Sequence, residues 1–238
     1  MEFAFKTDVG RMRELNEDSL FVENYENFTL GIIADGMGGH NAGEIASMYA
    51  VNGIKEAVSC EDMAEDTEEK LLSAFAKVNK DIYKKAVTTR GLIGMGTTLT
   101  AAVILNNKIS VAHVGDTRAY IFSGDNVKQI TNDHSYVEEL KRMGRITEEE
   151  AKTHPGRNQL TRAVGTEDSV RIDVFTEEIK KGDIILLTSD GLTNMLDDER
   201  IAEILKESPG LSHAVEDMIY EANENGGPDN ISVIALKV

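Results

Sequence analysis

The sequence predicts an α+β protein in which two antiparallel β-sheets stack on each other and pairs of helices flank them. Three observations lead there. Strand-like runs come in blocks separated by helix pairs, where a parallel doubly wound sheet would alternate them one to one. The runs from residue 97 onward are either period two or continuously apolar, as strands are. A length of 238 residues buries a substantial core without help from a disulfide or structural metal.

Taken in order, the first forty residues alternate short β-like runs at 3–5, 19–23 and 28–34 with turns rich in Asn, Asp and Gly. Asn41, with Glu44 three residues later, signals the start of a helix whose apolar stripe is Ala42, Ile45, Ala46, Tyr49, Gly53, Ile54 and Ala57. Asp66 and Glu69 open a second helix carrying Leu71, Leu72, Phe75, Val78, Ile82 and Tyr83, with Gly91 as its stop. Runs at 97–105, 108–114, 118–122 and 126–130, with an Asn106-Asn107 turn, read as one antiparallel meander. Residues 134–166 are polar and irregular apart from a short helix near 136–143, and they read as an excursion from the core. Strands are expected again at 170–175 and 183–188, helices at 197–206 and 211–223, and a closing strand at 231–236. The chain has no internal repeat, low-complexity tract or Pro/Ser linker, so residues 1–238 are expected to form one domain.

Charge narrows the functional classes. Asp and Glu number 42 against 25 Lys and Arg, a formal net charge of −17. Nucleic-acid binding is set aside, because phosphate neutralisation needs a basic surface. The apolar runs fall far short of the roughly 20 residues of a membrane helix. The start of the chain, MEFAFKTDVGRMR, does not read as a secretory signal, so a cytoplasmic location is expected. Cys60 is the only cysteine, which removes an internal disulfide, a CxxC redox site and a thiolate zinc site; it has no His-rich context as a nucleophile.

The chemistry lies in aspartates at the ends of apolar strands: Glu17-Asp18, Asp35-Gly36, Gly115-Asp116, Asp190-Gly191 and Asp229-Asn230. Any one of them is most simply an Asx turn. Five together point to a shared divalent cation, since converging carboxylates otherwise repel one another. All-oxygen ligands favour Mg²⁺ or Mn²⁺ over zinc.

The blocks GRMRELNED (10–18), DGMGGHNAGE (35–44), GMGTTLTA (94–101), HVGDTRAY (113–120), TSDGLTNM (188–195) and GGPDNIS (226–232) carry a resemblance to the bacterial PPM (type 2C) metal-dependent Ser/Thr protein phosphatases. They span nearly the whole chain in the family's order. The resemblance implies a sheet sandwich with a metal centre in a cleft. It implies that Asp35 bridges two ions, that Asp190 and Asp229 hold the first, and that Asp18 and the Gly36 carbonyl serve the second, largely through waters. Asp116 and Asp190 match the positions of a third, weaker ion. Thr117 stands where the family commonly has Ser, without touching a ligand.

Arg13 matches the family's phosphate-gripping arginine, a role that suits a planar guanidinium. Read by itself, it is equally a structural ion-pair partner for the carboxylates. His40 resembles the proposed general acid, although a lone histidine is more often structural and the DGMGGH spacing is longer than in DGH members. His113 reads as a core histidine, and His134 as a cap for the following helix. The implied reaction is direct attack on phosphorus by a metal-bridging water or hydroxide, with no phosphoenzyme.

The excursion holds Arg142, Arg145, Arg157 and Arg162, four of the ten arginines. The family places a flap here, at about 142–166. Two readings stand: steering of phosphopeptides by positive charge, or surface pairing with Glu148 to Glu150. The expected partners are phosphorylated Ser/Thr proteins, including a Ser/Thr kinase and its substrates, acted on by a monomer. The competing readings are a non-catalytic metal-dependent phosphoprotein-binding regulator and a phosphatase dedicated to a stress or sporulation pathway.

Overall fold

A computed structural model describes residues 1–38, 42–59 and 63–238. One sheet is ordered β1 (Glu2–Asp8), β11 (Ile231–Lys237), β10 (Ile184–Thr188), β7 (Arg118–Ser123) and β8 (Asn126–Gln129). The other is ordered β2 (Asp18–Asn24), β3 (Thr29–Met37), β5 (Leu99–Leu105), β6 (Lys108–Val114) and β9 (Asp173–Glu178), with the short β4 (Gly96–Thr97) beside the end of β3. Every pairing is antiparallel.

Alternation along the strands sorts the core into layers. In β5, Leu99, Ala101 and Val103 turn toward helices α1 (Ala42–Ser59) and α2 (Thr67–Thr88), joining Ile54, Leu71, Phe75 and Ile82. Ala102 and Ile104 turn the other way and meet Ile121, Ile185, Leu187 and Ile234 of the second sheet. Helices α6 (Asp198–Glu207) and α7 (Leu211–Glu224) cover that sheet's outer face through Ile201, Ile204, Val215 and Met218. Each fully buried aliphatic or Phe side chain contributes about 1.5–3 kcal/mol. The predicted sandwich of two sheets between helix pairs is therefore the observed one.

Several local expectations change. The expected meander is divided: β5 and β6 form a hairpin in one sheet, β7 and β8 one in the other, and the chain crosses over at Gly115–Thr117. The strand expected at 170–175 lies at Asp173–Glu178, because pairing with β6 sets its register. Asp66 precedes α2 in the left-handed region (φ 55°) and makes no side-chain cap bond. His134 does not cap α3 (Tyr136–Arg142); Ser135 does, accepting from the Glu138 N–H. Two short helices were not expected, α4 (Glu148–Thr153) and α5 (Asp190–Thr193). The cap proposed at Asn41 lies outside the described residues, as do His40 and Cys60.

Two features of this frame place the site. Gly36 lies so close to α1 that a Cβ there would fall 2.1 Å from the Gly43 carbonyl oxygen. The Glu17 carboxylate accepts hydrogen bonds from the first N–H groups of the same helix, at Gly43 and Glu44. Helix start, β3 end and the Asn16–Asp18 segment are thereby locked together.

Candidate metal centre

The five aspartates come from both sheets and meet at one end of the sandwich. Asp18 is the register partner of Asp35, so neighbouring strands send two carboxylates out of the same face. Asp190 follows β10 and starts α5, Asp229 precedes β11, and Asp116 sits in the crossover after β6. Like charges opposite one another on a sheet are destabilising. Such an arrangement has to serve something other than stability.

Electrostatics report how closely they lie. Burial pushes Asp18 up to about 7, and the nearby Asp190 and Asp229 charges add to it. Burial likewise pushes Asp190 up to about 6, with Asp229 adding and a hydrogen bond from Asp35 opposing. Asp35 and Asp116 are also raised well above the usual carboxylate range, by burial first and by neighbouring aspartates second. Solvent still reaches Asp35, Asp116, Asp190 and Asp229, while Asp18 is 8% exposed.

Neighbours hold these groups in place. Ser189 Oγ donates to Asp18 Oδ2 at 2.8 Å, and Asn194 Nδ2 donates to Asp190 Oδ2 at 3.0 Å. Asn230 ties three segments together: its Oδ1 accepts from the Glu17 N–H at 2.8 Å, and its Nδ2 donates to Val9 O and Leu15 O. Thr98 Oγ1 accepts from the Asp35 N–H at 2.8 Å. Ser189, Asn194 and Thr98 were not singled out in the sequence, because each acts through a partner remote from it or within one turn of a helix too short to show a pattern.

The donor set fits hard divalent cations. Asp18 Oδ1 and Asp190 Oδ1 are buried and accept no hydrogen bond, a costly state for carboxylate oxygens unless a cation meets them. Among the described residues no three His, Cys, Asp or Glu side chains stand as a finished ligand set. Carboxylates with oxygens to spare and no thiolate or imidazole among them match Mg²⁺ or Mn²⁺.

Arg13 lies at the edge of the cluster, its Nη2 2.8 Å from Asp229 Oδ2, with its side chain 47% exposed. Both sequence readings of Arg13 are thus compatible with its position: it pairs with a carboxylate and still faces solvent. A cleft of about 1090 Å³ opens here, lined by Arg13, Asp116, Asp190 and Asp229 on one side and by residues of α3 and α4 on the other. Of the four excursion arginines, Arg157 lines this cleft. Arg142 and Arg145 are exposed away from its lining, and Arg162 is half-buried against Asp173. The pairing expected with Glu148 to Glu150 involves Lys141, which bridges Glu138 and Glu148.

Comparison with known proteins bears directly on this arrangement. The Protein phosphatase 2C family profile matches residues 11–225. The serine/threonine phosphatase stp of Listeria monocytogenes is 42% identical over 241 residues, covering 100% of this chain and 96% of that protein. The structure of the Streptococcus agalactiae serine/threonine phosphatase superposes with a TM-score of 0.94 at 37% identity, covering 100% of this chain and 99% of the other. The catalytic domain of the serine threonine protein phosphatase PstP in complex with two manganese ions superposes with a TM-score of 0.88 at 35% identity, covering 98% and 96%. The chain is a protein phosphatase and belongs to the protein phosphatase 2C family.

Proposed function

We propose that this chain hydrolyses phosphoserine and phosphothreonine in proteins, using divalent cations held by its aspartate cluster. It is a serine/threonine protein phosphatase, as its relatives are. The observation that carries the reading is the convergence of five aspartates from two sheets beside an exposed arginine, on a cleft wide enough for a peptide.

In this reading Asp35, beside Asp18 and Asp190, would be a ligand common to two ions; Asp190 and Asp229 would hold the first, Asp18 and the Gly36 carbonyl the second, and Asp116 with Asp190 a third. Such cations supply, when bound, neutralisation of phosphoryl charge and acidification of water. The chain's own residues do the rest. Arg13 offers two N–H groups to phosphoryl oxygens, and Asp229 aims it. Ser189, Asn194 and Asn230 hold carboxylates and loops in place, so little reorganisation is needed when charge develops. His40 is assigned the proton for the departing alkoxide on the resemblance alone.

The whole chain acts as one phosphatase domain, with 142–166 as a flap beside the cleft and Arg157 as its cleft-facing cation. Its partners are phosphoproteins, among them a Ser/Thr kinase and that kinase's substrates, met in the cytoplasm by a monomer. Among the described residues no helix is long and apolar enough to cross a membrane. A non-catalytic regulator is disfavoured, because Asp18, Asp35, Asp116, Asp190, Asp229 and Arg13 are all present.

Arg13→Ala tests the phosphate subsite. A charge-assisted hydrogen bond contributes about 1.5–3 kcal/mol. Removing it is expected to raise KM for a phosphothreonine peptide by roughly tenfold to a hundredfold, with a smaller change in kcat. An unchanged KM would return Arg13 to the role of ion-pair partner for Asp229.

A further inference from the structure

Two buried histidines lie under the Gly115–Asp116 turn. His113 is accounted for by the core: Nδ1 meets Thr100 Oγ1 at 2.8 Å, Nε2 meets Asn132 O at 3.2 Å, and burial pushes its pKa down to about 3. His134, whose ring centre lies 4.7 Å from that of His113, has different partners. The Gly115 N–H donates to its Nδ1 at 3.0 Å, and its own backbone N–H donates to Gly115 O at 2.7 Å. These two bonds close a ring around the peptide that precedes Asp116.

The donor on Nδ1 settles the tautomer. A neutral ring that accepts at Nδ1 carries its proton on Nε2, which then donates to Asp173 Oδ2 at 3.1 Å. Asp173 Oδ1 in turn accepts from Arg162 Nη1 at 3.1 Å; the same Nη1 stands 3.1 Å from His134 Nε2, a donor-to-donor approach that is no hydrogen bond when Nε2 carries the proton, so Arg162 acts on the ring through Asp173. The next link leads into the excursion, because Arg162 belongs to it and the Thr161 N–H donates to His134 O at 2.8 Å. A continuous path thus runs from residues 161–162 through Asp173 and His134 to the turn that presents Asp116.

That turn needs holding. Gly115 has φ +115°, and a Cβ there would fall 2.5 Å from Thr98 Cβ. Asp116 faces the like charges of Asp190 and Asp133, with Arg118 opposing them.

We propose that His134 is a positioning residue for the Asp116 carboxylate, held in its working tautomer by Asp173 and Arg162. The inference rests on the assignment of Asp116 as a cation ligand. Groups that orient metal ligands are worth about 10- to 100-fold in metal affinity, and His134 acts one peptide away from the ligand.

Two substitutions separate its two bonds. His134→Asn keeps an acceptor near the Nδ1 position and loses the reach to Asp173; His134→Gln keeps a donor near Nε2 and loses the acceptor for Gly115. Hydrogen exchange of the Gly115 amide in the cation-free chain is expected to quicken by about tenfold or more in H134Q and to change less in H134N. Calorimetric Mn²⁺ titration is expected to weaken the Asp116-dependent ion by about 10- to 100-fold in H134Q, again with a smaller effect in H134N. Equal behaviour of the two variants, or wild-type exchange and affinity in H134Q, would overturn the proposal. Asp116→Asn is the control. If it binds every ion the wild type binds, the ligand assignment fails and the positioning role falls with it; if it loses an ion that H134Q retains at full affinity, the positioning role alone fails. Should H134Q not fold, Arg162→Gln, at a half-buried site, carries the same test: faster Gly115 exchange supports the path, and unchanged exchange overturns it.

Discussion

Asp35→Ala is expected to abolish turnover and leave a folded chain. The carboxylate is the register partner of Asp18, so its loss removes the group assigned as the ligand common to two ions. Cation chemistry of this kind is worth several kcal/mol, which corresponds to a loss of at least about a thousandfold. Folding should not suffer, because Asp35 in the cation-free chain is opposed by Asp18, Asp190, Asp116 and Asp229. Its removal therefore relieves repulsion and is expected to leave the melting temperature in EDTA equal or higher. The chain has no tryptophan, so the melt is followed by far-ultraviolet circular dichroism. Activity retained by D35A with saturating Mn²⁺ would reject the bridging role.

The second large effect couples cation binding to pH and stability. Burial raises Asp18 to about 7 and Asp190 to about 6 in the folded chain, against the 3.8 of a free aspartate. The folded state then binds more protons than the unfolded state between about pH 4 and 7. The cluster's contribution to stability is accordingly present at low pH and lost as pH rises through the folded values. In EDTA, stability is expected to fall between about pH 4 and 7 by an amount on the order of several kcal/mol. Mn²⁺ should reverse the loss, because it replaces the protons, so the melting-temperature gain on adding it should be larger at pH 8 than at pH 5. The net charge of −17 also favours unfolding as pH rises. Asp18→Asn isolates the cluster's share and is expected to flatten the slope in EDTA. A Mn²⁺ gain that does not grow with pH, or an unaltered slope in D18N, would contradict this coupling.

What could be read from residues alone follows how local each signal is. The Asn106-Asn107 turn was legible because both residues adopt positive φ, 49° and 63°, which Asn tolerates in a two-residue hairpin. The aspartates were legible because each sits at the end of an apolar run. The division of the expected meander was not, since the crossover at Gly115–Thr117 carries no more punctuation than an ordinary turn. Helix α4 buries one residue, Ala151, and so lacks an apolar stripe; its signal was the Thr147–Glu150 capping box. The strand at Asp173–Glu178 lies at a sheet edge, where pairing with β6 decides the register. His134 is no cap because its partners Gly115 and Asp173 come together only in the folded chain.

The central claim is that a carboxylate-held cation centre makes this chain a phosphoprotein phosphatase. Hydrolysis of a phosphothreonine peptide by the purified chain, measured with Mn²⁺, with Mg²⁺ and after EDTA, tests it most directly. Turnover with a divalent cation that EDTA abolishes, and that added cation restores, is the expected result. A folded sample with no turnover under any of the cation conditions, or with turnover that EDTA leaves untouched, would contradict it.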